Sequence, residues 1–208
     1  MLPNRIPIAL TLFMFFSANL CLAKESDLIS KASLILKEIE PNFINSPIFL
    51  NSDENFKATN KRKLLEAIDY LEKGFNVDSQ NANLLYLLGI AYSFAHDLDL
   101  RGAWQKSVEY LKKAIEINPN DDKPHMVLGK NYMDAAKFDE SFQEYEKVNE
   151  LVPNGFALRN MAFVRMAQKR TDEAQELLKQ YIKYNPKDLD TLKILNALQE
   201  GRFEKVET

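Results

Sequence analysis

Residue types that carry catalysis or metal binding are sparse in this chain. Its 208 residues include two histidines, His96 and His125, and a single cysteine, Cys21. The histidines lack the His-Glu-x-x-His spacing that places two imidazoles on one helix face for zinc. The six glycines form neither a phosphate-binding loop nor the Gly-x-Ser-x-Gly turn of a nucleophilic serine. The sequence therefore predicts a protein that is not an enzyme and has no metal site, no cofactor and no small-molecule substrate; an unrecognised site using either histidine is the alternative.

Charged residues are abundant but form no cluster of one sign. The chain has 27 lysines and arginines against 30 aspartates and glutamates, a formal net charge of −3. No basic stripe is present for a phosphate backbone, so nucleic acid is not an expected partner. Two adjacent acidic pairs, Asp121-Asp122 and Asp172-Glu173, stand where helices are expected to begin. Acidic groups are favourable there because the helix dipole is positive at that end.

A short motif ending a helical run occurs three times, at Ile117-Asn118-Pro119-Asn120, Leu151-Val152-Pro153-Asn154 and Tyr184-Asn185-Pro186-Lys187. The prolines lie 34 and then 33 residues apart. Proline lacks an amide hydrogen and its ring clashes with the preceding helical turn, so each one ends a helix. A period of this length predicts helical hairpins that stack side by side.

The unit that ends at Pro153 shows what each hairpin requires. Its patterned positions are Leu128, Gly129, Tyr132, Ala136, Phe138, Ser141, Tyr145 and Val148. Gly129 and Ser141 are small where two helices of one hairpin must cross closely, and the large residues fill the space between hairpins. This pattern resembles the tetratricopeptide repeat.

The neighbouring units carry the same resemblance less completely. The unit ending at Pro119 matches at Leu88, Gly89, Tyr92, Trp104, Ser107, Leu111 and Ala114, with about six extra residues around His96–Gly102. The unit ending at Pro186 has Met161, Ala162 and Arg165 in place of Leu, Gly and the aromatic residue, and keeps Ala174, Leu178 and Tyr181. Half matches flank these units, at Ala67, Leu71 and Gly74 and at Leu189–Gln199.

The resemblance implies an all-α fold, an α-solenoid of tetratricopeptide-like helical hairpins with about three full repeats plus flanking half repeats over residues 60–200. The expected helices are 60–76, 82–95, 102–117, 122–135, 138–151, 155–168, 171–184 and 188–199. The alternative is a bundle without repeats, which the shared small and aromatic positions disfavour.

The segments outside the repeats are expected to differ in kind. Residues 24–59 are predicted to form a helix and a long loop, Pro41–Thr59, that caps the solenoid; a lid over the binding groove is the alternative. Residues 201–208 are predicted to be a frayed tail.

The first 23 residues have the layout of a secretory signal peptide. Arg5 gives a positive start, Ile6–Leu20 an apolar run, and Ala23 a small residue for cleavage. The run is shorter than the roughly 20 residues that span a bilayer. An uncleaved membrane anchor and a lipoprotein modified at Cys21 are the alternatives. The sequence thus predicts a periplasmic or secreted protein.

The family resemblance also implies a binding surface. In such arrays the first helices of successive repeats line an inner groove, which here receives Tyr86, Ile90, Phe94, Met126, Lys130, Met133, Phe156, Arg159, Phe163 and Met166. The apolar members suit a peptide or helix with apolar anchors, and Lys130 and Arg159 suit a carboxylate. Tyr86, Ile90 and Val127 stand where the family's carboxylate clamp needs polar groups, so that clamp is not expected.

These observations predict an exported protein-binding adaptor or scaffold, in a role such as cell-envelope assembly. The alternative is a homo-oligomeric structural protein whose groove is filled by its own loop or by a second subunit.

Overall fold

The computed structural model describes residues 24–41, 54–153 and 155–202, and all regular secondary structure in these ranges is helical. The helices there are α1 (residues 24–41), α2 (Glu54–Phe75), α3 (Ala82–Asp97), α4 (Ala103–Ile117), α5 (Asp122–Asp134), α6 (Phe138–Leu151), α7 (Phe156–Ala167), α8 (Thr171–Tyr184) and α9 (Leu189–Gln199). None of these described helices is long and apolar enough to cross a membrane. The predicted signal peptide lies outside the described residues, as do residues 42–53 and 203–208.

The helix boundaries follow the sequence prediction closely from α3 to α9, but α2 does not. It begins at Glu54 rather than near residue 60. The prediction that the loop Pro41–Thr59 extends to Thr59 is therefore wrong, because residues 54–59 belong to the helix. Pro41 itself is the last described residue of α1. The predicted insertion of about six residues in the first full repeat is divided between its first helix and the turn that follows. Helix α3 has 16 residues where α5 has 13, and the turns 98–102 and 135–137 have five and three residues.

The chain divides into two compact units, unit 1 (Met1–Tyr110) and unit 2 (Leu111–Thr208). In unit 1, α1 is tied to α2 by an ion pair between Glu38 and Lys63. It is also tied to the start of α3, where the Asn81 amide donates to the buried Glu25 carboxylate over 2.9 Å. Apolar residues fill the space among these helices, including Ala32, Leu36, Ile39, Leu64, Leu71, Leu84 and Leu88. Unit 1 thus extends the repeats by a packed N-terminal helix.

A polar cluster around Glu72 joins α2, α3 and α4 within unit 1. The Tyr92 hydroxyl donates to the Glu72 carboxylate over 2.7 Å, and the Tyr110 hydroxyl donates to it over 3.2 Å. Lys106 donates to the Tyr92 hydroxyl over 2.8 Å. Burial, together with the neighbouring carboxylate, raises the pKa of both tyrosines above the usual range. The cluster therefore holds neutral phenols and fixes three helices to one carboxylate.

Unit 2 contains two complete hairpins, α5 with α6 and α7 with α8, followed by α9. One apolar cluster joins the two hairpins through Tyr145, Leu158, Met161, Val164 and Tyr181. A second joins the α7–α8 hairpin to α9 through Ala162, Ala174, Leu178, Leu195 and Leu198. Each helix thus buries its apolar face against its neighbours in chain order, as stacked repeats do.

The helices of a hairpin cross where the sequence places its small residues. A Cβ atom added at Gly129 would lie 2.8 Å from the Tyr145 ring, so no larger residue fits without movement. The Ser141 hydroxyl donates to the Gly129 carbonyl over 2.7 Å, and Ser107 makes the equivalent bond to Gly89 over 2.6 Å. The predicted roles of these positions are confirmed, and each serine also satisfies its buried hydroxyl.

The first helix of every full repeat ends in the same left-handed turn. The turn residues have φ of 55°, 55° and 60° at Asp99, Ala136 and Lys169. The amide after each one donates to a carbonyl five residues back, in the pairs Leu100–Ala95, Lys137–Tyr132 and Arg170–Arg165. Helix α9 ends identically, with φ of 64° at Gly201 and the pair Arg202–Ala197. Helix α9 is therefore built like the first helix of a further repeat, as its sequence predicts.

Replacing Gly129 with alanine should destabilise the protein by about 1–3 kcal/mol, because the added methyl group must displace the Tyr145 ring. Chemical denaturation followed by circular dichroism measures this. Gly74→Ala is the matched control, since a Cβ there meets Leu84 at an ordinary 3.5 Å. It should leave stability unchanged or raise it by up to about 1 kcal/mol. Equal stability of Gly129→Ala and the natural chain would contradict the close crossing.

Candidate functional site

The residues predicted to bind a partner in unit 2 come from two neighbouring first helices. Helix α5 carries Met126, Lys130 and Met133, and helix α7 carries Phe156, Arg159, Phe163 and Met166. Within each helix they are separated by three or four positions and share one face. The two helices are in side-chain contact, because the Asn160 amide lies 3.6 Å from the Met126 sulfur. We call this set of seven residues the α5–α7 face.

The apolar members of the α5–α7 face are mostly half-buried. Met126 and Met133 pack against the cluster that joins the two hairpins, and Met166 packs against the cluster that reaches α9. Phe156 is the exception, with 53% of its surface accessible. The methionines therefore contribute to the core on one side and leave a flexible apolar surface on the other.

Arg159 lies where α7 meets the start of α9. Its guanidinium stands over the Phe163 ring, 5.0 Å from the ring centroid. Its Nε atom is 4.0 Å from the Asp188 carboxylate, beyond hydrogen-bond distance. That Nε atom is buried and has no hydrogen-bond partner among the described residues. About a third of the side chain, 34%, is accessible to solvent.

Asp188 caps α9, and its two oxygens are occupied by other donors. The Thr191 amide donates to Oδ1 over 3.0 Å, while the Tyr181 and Thr191 hydroxyls donate to Oδ2 over 2.7 Å and 2.8 Å. The hydrogen bond from the Thr191 backbone amide is the largest cause that lowers the pKa of Asp188, to about 2. The hydrogen bonds from the two hydroxyls and the positive charge of Arg159 act in the same direction. Asp188 is therefore ionised at neutral pH, and its charge offsets part of that of Arg159.

The basic residues on and beside the face have acidic neighbours. Lys130 pairs with Asp134 over 2.7 Å, one turn further along α5. Lys123, near the start of α5, is exposed and forms no ion pair within the described part of the chain. Asp121 and Asp122 precede Lys123 in the chain, and Lys130 and Arg159 each lie near one carboxylate, so this surface carries no positive excess.

The predicted binding residues of unit 1 all lie on α3. Tyr86 and Ile90 are half-buried and one helical turn apart. Phe94, one turn further, is only 7% exposed and belongs to the core. The prediction that Phe94 lines a binding surface is therefore wrong: its side chain is already in contact with other residues. The helical spacing alone could not distinguish these two environments.

Arg165 has a structural role that its sequence position did not reveal. It stands where the repeat pattern has an aromatic residue, and its guanidinium stacks 3.6 Å above the Phe142 ring. It also donates to Gln168 over 2.6 Å and pairs with Glu173 over 3.1 Å. A planar cation thus replaces the missing ring between α6, α7 and α8.

His125 is buried and forms a pair with Glu144 across the α5–α6 hairpin, with Nδ1 2.6 Å from the carboxylate. In the ranges that the structure describes, no group of three or more histidine, cysteine, aspartate or glutamate residues is placed to hold a metal ion. The pair joins two helices of one hairpin.

Comparison with known families matches two segments to the tetratricopeptide repeat, residues 105–121 and residues 156–188. The longer segment contains α7, α8 and Asp188. A search among curated proteins found no significant match.

Solved structures resemble the chain over most of its length. A protein called YrrB, described as a TPR protein with an unusual peptide-binding site, is 22% identical, with 85% of this chain and 87% of that chain covered and a TM-score of 0.57. The pilF protein of Pseudomonas aeruginosa is 13% identical, with coverages of 88% and 72% and a TM-score of 0.64. A thermophilic TPR protein of Thermus thermophilus is 17% identical, with coverages of 84% and 98% and a TM-score of 0.58.

These likenesses show the fold. The class predicted from the sequence, an all-α solenoid of helical hairpins, is confirmed, and with it a scaffold of the kind that binds proteins.

Because the pKa of Asp188 is lowered in the folded protein, its contribution to stability is present above about pH 4 and is lost as the pH falls towards 2. Asp188→Asn should therefore lower stability at pH 7 by about 1–2 kcal/mol and flatten the loss at acidic pH. Denaturant titrations between pH 7 and pH 2 measure both effects. Asp190→Asn is the control, since it removes one negative charge from an exposed position in the first turn of α9. Parallel pH profiles for Asp188→Asn and the natural chain would contradict the assignment.

Proposed function

Because the chain is a tetratricopeptide repeat protein, we propose that it is an exported adaptor without enzymatic activity, and that it binds a polypeptide segment on the α5–α7 face. Repeat arrays present rigid side-chain surfaces to other proteins and bury their own cores between repeats. The proposed partner is an extended segment or a helix with apolar side chains, held by the surface between two first helices.

One observation supports the α5–α7 face above other surfaces. It combines half-buried methionines, the accessible Phe156 ring and a guanidinium that has no hydrogen-bond partner in the described part of the chain. Binding surfaces commonly have an apolar centre with few polar groups that fix orientation. Methionine side chains adapt to varied apolar partners, and arginine is among the residues enriched at protein interfaces.

The alternative function is self-association through α9. This helix is built like the first helix of a repeat, and no second helix follows it in the described residues. Leu189 at its start is 67% exposed. A second copy of the chain would cover this exposed side chain, and light scattering at tens of micromolar protein distinguishes a dimer from a monomer.

Peptides selected from a random displayed library against the full chain should bind the α5–α7 face. Phe156→Ala with Phe163→Ala should weaken their binding by at least about tenfold, because apolar anchors dominate such interfaces. Fluorescence anisotropy with synthetic peptides measures the dissociation constants.

Leu34→Ala with Leu65→Ala is the matched control, since both residues are exposed apolar side chains of unit 1. It should leave peptide affinity unchanged, and circular dichroism should show that both double variants are folded. Peptides that bind the Phe156 and Phe163 variant as tightly as the natural chain would exclude this face.

Export rests on the first 23 residues, with Arg5, the apolar run Ile6–Leu20 and Ala23 at the proposed cleavage site. Within a bacterial envelope such an adaptor would meet other exported proteins during assembly. The intact mass of the protein purified from cells tests the proposal. Cleavage after Ala23 should leave a chain that begins at Lys24. A full-length mass would indicate a retained anchor, and a lipid-modified Cys21 would indicate a lipoprotein; either result contradicts cleavage.

A further inference from the structure

We propose that Met126 is a reversible oxidation site, and that a peroxide reacting with its sulfur lowers the affinity of the α5–α7 face for apolar segments. This inference rests on the proposed function, since it concerns the regulation of binding to this face. The modification itself does not depend on a partner and is detectable on the chain alone.

The methionines of this chain are concentrated on two helices. Of the six, Met1 and Met14 belong to the predicted signal peptide, and the other four lie on α5 and α7, namely Met126, Met133, Met161 and Met166. Cys21 also belongs to the predicted signal peptide, so these four thioethers supply all the sulfur of the described residues. Oxidation converts an apolar thioether into a polar sulfoxide. An oxidant that reacts with sulfur therefore acts, in the described part of the chain, on the two helices of the binding face.

Burial separates one of these methionines from the other three. Met161 is 5% exposed and belongs to the buried cluster that joins the two hairpins. Met126 and Met133 only border that cluster and are half-buried, and Met166 is half-buried beside the cluster that reaches α9. An oxidant must reach the sulfur atom to react with it. Met161 is therefore an internal reference for a protected methionine.

Met126 also has a hydrogen-bond donor beside its sulfur. The side-chain amide of Asn160, on α7, donates to the Met126 sulfur, on α5, over 3.6 Å. A thioether sulfur is a weak acceptor, whereas the oxygen of a sulfoxide carries partial negative charge and accepts more strongly. After oxidation the Asn160 amide can donate to this oxygen, so the polar group formed at Met126 keeps a partner. The oxidised chain should therefore remain folded.

The proposed reaction is a two-electron oxidation by hydrogen peroxide. A lone pair of the Met126 sulfur attacks one peroxide oxygen, and the S–O bond forms as the O–O bond breaks. The second oxygen leaves as hydroxide and takes the proton of the sulfur-bound hydroxyl, which gives the sulfoxide and water. Sulfur is oxidised and the peroxide is reduced. A methionine sulfoxide reductase returns two electrons from a dithiol and restores the thioether, with water and a disulfide as the other products.

The added oxygen changes the surface that a partner meets. Because Met126 touches Asn160, it lies where α5 and α7 adjoin, on the face that both helices form. An apolar side chain bound there would cover a polar S–O group and remove it from water, which is unfavourable. Apolar segments should therefore bind the oxidised face more weakly.

The first measurement follows the oxidation itself on the full chain. Samples are treated with dilute hydrogen peroxide, which is then removed with catalase, and mass spectrometry of proteolytic peptides gives the oxidised fraction of each methionine. Met126 should react at least about tenfold faster than Met161, because the latter is buried. Equal rates at Met126 and Met161 would overturn the site.

The second measurement tests the Asn160 donor. It uses the double variant Met133→Leu with Met166→Leu, which leaves Met126 as the half-buried methionine of α5 and α7. Oxidation should lower the denaturation midpoint of this variant less than that of the same variant carrying Asn160→Ala, whose sulfoxide oxygen lacks the amide. Equal losses of stability in the two proteins would show that the contact with Asn160 has no part in the oxidised state.

The third measurement tests regulation, with library-selected peptides that contain neither methionine nor cysteine. Each protein is compared before and after oxidation. The affinity of the Met133→Leu, Met166→Leu variant should fall by about tenfold and should recover after treatment with methionine sulfoxide reductases and a dithiol. Adding Met126→Leu to this variant gives the matched control, whose affinity should be the same before and after peroxide.

The outcomes separate this inference from the proposed function. An affinity that does not change when Met126 is oxidised overturns the regulation and leaves peptide binding intact. A loss that the reductases do not restore overturns reversibility. A selection that returns no binding peptide overturns the proposed function together with its regulation, whereas the oxidation rates still decide the modification site. If the double variant fails to fold by circular dichroism, the natural chain compared with Met126→Leu decides the matter.

Discussion

The close crossing of two helices within each hairpin is the constraint on which the other features depend. At Gly129 the helix backbone lies against the Tyr145 ring with no room for a methyl group. The serine one helix later bonds to the glycine carbonyl, in two successive repeats. This contact sets the distance and angle of the hairpin, and the same short distance lets one apolar cluster serve the next hairpin as well. Because the contact recurs at a fixed period, the packing recurs too.

Where the repeat pattern departs from its ideal, polar groups take the place of apolar packing. The Glu72 carboxylate accepts hydrogen bonds from the Tyr92 and Tyr110 hydroxyls, and Lys106 donates to the Tyr92 hydroxyl. These bonds connect the first full repeat to α2, the helix before it. Arg165 stands in for a missing aromatic ring and stacks on Phe142. Each of these groups has several partners on neighbouring helices, so it connects those helices in place of an apolar contact.

Arg159 differs from these groups because both oxygens of the nearest carboxylate, that of Asp188, already accept hydrogen bonds from other residues. Asp188 has a capping role at the start of α9, and the hydrogen bonds that cap the helix consume the oxygens that an arginine would otherwise take. The carboxylate therefore neutralises part of the charge without binding the guanidinium. Helix capping at the start of α9 thus leaves the buried Arg159 Nε atom without a hydrogen-bond partner in the described part of the chain.

The sequence by itself determined the helices and their order, because proline spacing, small residues and helical periodicity are local signals that recur in each repeat. It could not determine which residues of a helix face stay accessible. Ile90 and Phe94 lie one turn apart on the same face of α3, yet Ile90 is half-buried and Phe94 is only 7% exposed. Nor could it reveal that Asp188 and Arg159 are close without being bonded, since that depends on where three other donors lie. Accessibility and hydrogen-bond competition are set by neighbours distant in the chain, so only the tertiary structure decided them.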